Sequence, residues 1–103
     1  MPSVKRCTVS PTQINLGGSF RFTVELDEPA PQGGTNVAVS LNTDGNEYAI
    51  VGGPPRALEF QAGARSFTLD LQTDASVVPP PTYLTFFANT IGSLAQSATL
   101  NIT

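Results

Sequence analysis

The chain has no histidine, no tryptophan and a single cysteine, and only 13% of its 103 residues are charged. Without histidine, Ser-His and Cys-His nucleophile systems, the usual zinc sites and imidazole acid–base catalysis are excluded. One cysteine excludes an internal disulfide. Cys7 reads as a small buried hydrophobe on the first strand, with a reactive or intermolecular thiol as the alternative. No apolar run is long enough to span a bilayer, so membrane insertion is not expected. The opening residues Met1-Pro2-Ser3-Val4-Lys5-Arg6 hold no hydrophobic h-region, so no signal peptide is expected either. A net charge of −3, from eight acids and five bases, leaves no basic stripe. Lys5, Arg6, Arg21, Arg56 and Arg65 are scattered along the chain, and no nucleic-acid partner is expected.

What is present is alternation and punctuation. Phe20, Phe22, Val24 and Leu26 are apolar, while Arg21, Thr23, Glu25 and Asp27 between them are polar. Val37, Val39 and Leu41 alternate in the same way with Asn36, Ala38, Ser40 and Asn42. A period of two buries one face of a strand and leaves the other to water. Between the two runs lies Pro29-Ala30-Pro31-Gln32-Gly33-Gly34. Its prolines lack the amide donor that a central ladder needs, and its glycines suit a sharp corner. The spacing predicts strands near 4–9, 19–27, 36–42, 48–51, 57–61, 65–72, 82–89 and 97–103, with no amphipathic helix. Seven or eight short strands in one domain of about 100 residues give an all-β sandwich of antiparallel strands.

Several short motifs then fall in an ordered series. Ser10-Pro11, Gly17-Gly18-Ser19 before the long alternating strand, and the Pro29–Gly34 corner come first. Val37-x-Val39-x-Leu41, the Phe60–Gly63 turn, Phe67-Thr68-Leu69, Phe86-Phe87-Ala88 and the closing Ala98-Thr99-Leu100-Asn101-Ile102 follow. In this order they resemble a bacterial or phage immunoglobulin-like repeat of the Big type. The resemblance implies that residues 1–103 are a single immunoglobulin-like domain, a seven-stranded Greek-key sandwich used as a spacer, an adhesive module or virion decoration, and it brings no catalytic residues. The antibody-type cysteine pair and core tryptophan are missing, as is usual in bacterial and phage versions. The triple proline Pro79-Pro80-Pro81 departs from the pattern.

Candidate chemistry is sparse. Asp27 and Glu28 are adjacent at a strand end and point to opposite sides, which does not suit a shared catalytic pocket. The turn Asp44-Gly45-Asn46-Glu47 carries three oxygen-bearing side chains, fewer than the six to eight oxygens calcium takes. It reads as a solvated turn. A Lys5–Asn101 isopeptide link is disfavoured because Asn101 lies between inward-facing Leu100 and Ile102. The Asn101-Ile102-Thr103 glycosylation match is read as chance. No catalytic residue, metal ligand or cofactor is expected, and the chain is not expected to be an enzyme.

One constellation stands out as a surface. With strands assigned to sheets as in immunoglobulin folds, one sheet shows Arg21, Glu25, Glu59 and Asp70 outward. The other shows Ala38, Ser40, Tyr83, Thr85, Phe87, Thr99 and Asn101, uncharged and with two aromatics. Interface cores are depleted of charge and enriched in Tyr and Phe, so these seven residues are the candidate partner-binding face. The bland alternatives are a bulge at Phe86-Phe87 or a proline connector folded over Phe87. The expected role is a non-catalytic module that builds or decorates an extracellular assembly, in a virion or on a bacterial surface, contacting protein neighbours. Carbohydrate binding through the same face is the alternative.

Overall fold

Period-two alternation is the force that shapes this chain, and in the computed structural model it builds two stacked sheets. The structure describes residues 2–45, 49–53, 55–90 and 92–103. In chain order the strands are β1 (Val4–Ser10), β2 (Gln13–Ile14), β3 (Ser19–Leu26), β4 (Thr35–Thr43), β5 (Ala57–Phe60), β6 (Ser66–Gln72), β7 (Tyr83–Asn89) and β8 (Gln96–Ile102). One sheet has the order β1-β3-β6 and the other β2-β8-β7-β4-β5. The all-β sandwich expected from the sequence is the fold.

The core forms where the inner faces meet. Phe20, Phe22, Val24 and Leu26 of β3 are buried, as are Val37 and Val39 of β4, Leu84, Phe86 and Ala88 of β7, and Leu100 and Ile102 of β8. Phe22 stacks on Phe86 of the opposite sheet at 4.8 Å between centroids, and Phe20 meets the same ring at 5.8 Å. Cys7 is buried in this core, and desolvation pushes its thiol up, which makes it a poor nucleophile.

Three features depart from expectation. First, the pairing is not antiparallel throughout. After Pro11 the chain crosses from one sheet to the other without reversing, so β2 runs parallel to β8. Second, β5 pairs with β4, with Asn36 opposite Glu59, so Glu59 belongs to the five-stranded sheet and not beside Arg21 and Asp70. Third, the strand expected at 48–51 is reduced, within the described residues 49–51, to one bridge between Ile50 and Thr73. Tyr48 lies outside the described residues.

The proline connector has a specific seat. A Cβ on Gly45 would come within 2.7 Å of Pro81 and 2.9 Å of the Pro79 carbonyl oxygen, so only glycine lets the connector lie this close. Leu41 pairs with Phe86 and Ser40 with Phe87 without a register shift. There is therefore no bulge at the phenylalanine pair: Phe86 points in and Phe87 points out.

Candidate functional site

The seven residues Ala38, Ser40, Tyr83, Thr85, Phe87, Thr99 and Asn101 share the outer face of the five-stranded sheet. Its cross-strand rows are Ser40–Phe87–Ser97, Asn42–Thr85–Thr99 and Tyr83–Asn101. Tyr83, Thr85 and Phe87 are half-buried, and the others are exposed. Thr85 and Thr99 hydroxyls meet at 3.0 Å. The strand register brings these side chains to one side of the sheet.

The opposite sheet holds what the sequence reading missed. Strict alternation from inward Val4 would turn Arg6 into the core. Instead a β-bulge shifts the register, so that Val4 pairs with Leu26 and Arg6 with Glu25, leaving Lys5 as the extra residue. A bulge re-aims side chains at the cost of one unpaired position. Here it keeps Val4 and Cys7 inside while exposing both Lys5 and Arg6. The signal was legible: the inward positions 4 and 7 are three apart, which a regular strand cannot provide.

The cations then converge. Arg6 donates from Nε to Glu25 at 2.6 Å, and this hydrogen bond, with the charges of Arg6, Lys5 and Arg65, holds the Glu25 carboxyl below its usual range. Arg65 reaches in from the far side of β3, donating from Nη2 to the Asp27 carbonyl oxygen at 3.1 Å. Further along the same face, Arg21 donates from Nε to Asp70 at 2.9 Å. A guanidinium has five donor hydrogens, and each of these contacts uses one. Between the Arg6 and Arg21 rows, Thr8, Thr23 and Thr68 lie side by side, with the Thr23 and Thr68 hydroxyls 3.3 Å apart. Glu25 lies four residue steps along β3 from Arg21, so the two cationic rows lie about 14 Å apart.

The charge is thus uneven. The three-stranded sheet and its β3 end hold four of the five cations (Lys5, Arg6, Arg21, Arg65) and four acids (Glu25, Asp27, Glu28, Asp70). The rest of the chain holds one cation, Arg56, against four acids. The face carries no net charge on a net negative chain.

Elsewhere the polar groups are committed to structure. Asp44 accepts from the Thr82 amide at 2.8 Å and from the Thr82 hydroxyl, which pulls its carboxyl below the usual range and ties the 43–45 turn to β7. Asn46 and Glu47 lie outside the described residues. Among the described residues, no three His, Cys, Asp or Glu side chains gather as metal ligands. Asp74 is lowered in the same way by Ser76. A carboxylate with a depressed folded pKa stabilises above its unfolded value, near 4, and loses that contribution as pH falls through the folded value. The melting temperature is therefore expected to be flat from pH 7 to 5 and to fall below about pH 4. Asp44→Asn removes part of that slope, which thermal unfolding followed by circular dichroism at several pH values measures.

Comparison with known proteins is sparse. No family model matches the chain, and no curated protein matches it. Among solved structures it is similar to the Pseudomonas fluorescens alkylpurine DNA glycosylase AlkC bound to DNA containing an abasic site analog. The TM-score is 0.52 at 19% identity, over 99% of this chain and 30% of that protein. Identity at this level shows the fold, and the DNA in that structure belongs to that protein. The comparison still overturns two expectations. Nucleic acid was excluded on whole-chain charge, which is blind to the gathering of cations on one sheet. The role in an extracellular assembly among protein neighbours rested on the outline of motifs and on the uncharged face, which also carried the glycan alternative, whereas the protein whose fold this chain shares in part is a DNA-bound one.

Proposed function

We propose that this chain is a non-catalytic, DNA-contacting module that adds phosphate contacts to a larger DNA-handling protein. The observation that carries the reading is the clustering of Lys5, Arg6 and Arg65 about Glu25, on a hydroxyl-rich sheet that also bears Arg21. Arginine, lysine, serine and threonine are the side chains that hold phosphate oxygens and fix register on a duplex. The likeness to part of a DNA-bound protein supports the reading.

The chemistry points to backbone holding without base recognition. Reading bases takes an element that enters a groove and presents side chains to base edges. The outer face of the three-stranded sheet offers short hydroxyls and paired arginines instead. Binding is then electrostatic and independent of sequence. With three to four phosphates engaged, the logarithm of affinity falls with the logarithm of salt at a slope of about −3. Raising salt from 50 to 200 mM weakens binding roughly 40- to 150-fold on that slope. Because the whole chain is acidic, the isolated module binds weakly, and it contributes most when a neighbouring domain already holds the DNA.

Fluorescence anisotropy with a labelled duplex tests this. The double variant Arg6→Glu/Arg65→Glu is expected to lose binding by at least about tenfold, since two phosphate contacts become repulsions. Phe87→Ala, on the other sheet, is expected to leave it unchanged. Equal binding by the charge-reversed variant, with its fold intact by circular dichroism, rejects the reading.

A further inference from the structure

The sandwich is unevenly closed. β3 lies at the centre of its sheet, and its inward Phe22 and Val24 are fully buried. β6 is an edge strand, and its inward Phe67, Leu69 and Leu71 are only half-buried. Beside it runs a groove of about 710 Å³ between β5 and β6, lined by Pro55, Ala57, Leu58, Gln61, Phe67 and Leu69 among others.

The chain covers this edge at one end only. Ile50 bridges Thr73, Val51 N–H donates to the Gln72 carbonyl at 2.8 Å, and Asp74 N–H donates to the Ala49 carbonyl at 2.6 Å. A turn closed by Gly53 N–H donating to the Ile50 carbonyl at 2.9 Å then leads the chain away to β5 in the other sheet. Alongside residues 66–70 no described strand pairs with the outer edge of β6. An open edge strand is a template for another strand, and half-buried apolar side chains beneath it supply a reason to add one.

We propose that the occupant is a second copy of this chain, paired antiparallel through β6 with the two-fold axis at Thr68. The open stretch 66–70 is centred on Thr68, so this register uses all of it. It sets Asp70 of each copy opposite Ser66 of the other. Each carboxylate thus meets a hydroxyl, and no like charges face each other. A register centred on Asp70 would oppose two carboxylates, which destabilises a cross-strand pair. On the inner side, Phe67, Leu69 and Leu71 of the two copies extend one another's apolar strip over the paired grooves. The product is a continuous six-stranded sheet whose two Lys5–Arg6–Arg65 clusters lie on the same side. The pairing is independent of any DNA contact.

Sedimentation equilibrium of the chain from low micromolar to millimolar concentration tests the pairing without DNA. The expected result is a reversible dimer. Thr68→Lys places two like charges on the axis and is expected to give a monomer with unchanged circular dichroism. Thr68→Cys is expected to form a disulfide-linked dimer on mild oxidation, since Cys7 is buried, whereas Thr99→Cys on the other sheet is not. A chain that stays monomeric at millimolar concentration overturns the proposal. So does a dimer that persists in Thr68→Lys and is not captured by Thr68→Cys.

Discussion

Replacing Phe86 with alanine is expected to cost about 3–5 kcal/mol, a large share of the stability of a domain this size. The ring is fully buried on β7, yet its partners Phe22 and Phe20 come from β3 in the other sheet, at 4.8 and 5.8 Å. Truncation removes transfer free energy and also opens a cavity between two sheets that cannot easily close upon it. Phe87→Ala, one residue along and outward-facing, is expected to cost well under half as much. Urea unfolding of both variants measures the difference through the midpoint, with the slope unchanged. A larger loss in Phe87→Ala than in Phe86→Ala would mean that the β4–β7 register is slipped by one, since a single-residue slip exchanges the two faces.

Gly34→Ala is the second large effect, and it comes from the backbone. Gly34 has φ +81°, and a Cβ there would sit 2.5 Å from the Phe60 carbonyl oxygen. The first condition costs an L-residue roughly 1–2 kcal/mol. The second forces β4 away from β5 at the Thr35–Phe60 pair, a cost of about 1–3 kcal/mol for an overpacked site. The two together predict a loss of roughly 2–5 kcal/mol. Gly33→Ala is the contrast: it shares a positive φ of 91°, but nothing lies within 4 Å of its Cβ position. It should cost only the conformational part. Thermal unfolding of the pair separates the terms, and equal losses would show that the contact with Phe60 contributes nothing.

The strands that alternate cleanly were readable from the sequence because a period of two is a direct record of which side is buried. β3, β4, β7 and β8 fall where expected, and the register brings the seven outward residues of the uncharged face together. What was not readable depends on where the chain crosses between sheets. Nothing in Ala57–Phe60 says whether β5 pairs with β4 or lies beside β6, because its alternation is the same either way. That choice is made by the turn at Ile50–Gly53, and it moved Glu59 off the face where Arg21 and Asp70 lie.

The cationic corner failed to appear for a different reason. Lys5 and Arg6 were counted as two residues of a scattered five, and Arg65 lies sixty positions away in sequence. Only the pairing of both β1 and β6 with β3 brings them to one carboxylate. The bulge that exposes Lys5 and Arg6 together did leave a trace, in the spacing of Val4 and Cys7. Net charge, by contrast, is a sum over the whole surface and says nothing of how its terms are placed.

The most direct test of the DNA-contacting face is a residue-by-residue map. Isotope-labelled chain titrated with a short duplex at low salt, followed by amide NMR shifts, reports which sheet meets the DNA. Shifts concentrated at Lys5, Arg6, Thr8, Thr23, Arg65 and Thr68, and reversed by added salt, are the predicted result. Shifts centred on Ser40, Thr85, Phe87 and Thr99, or no salt-reversible shifts at all, would contradict it.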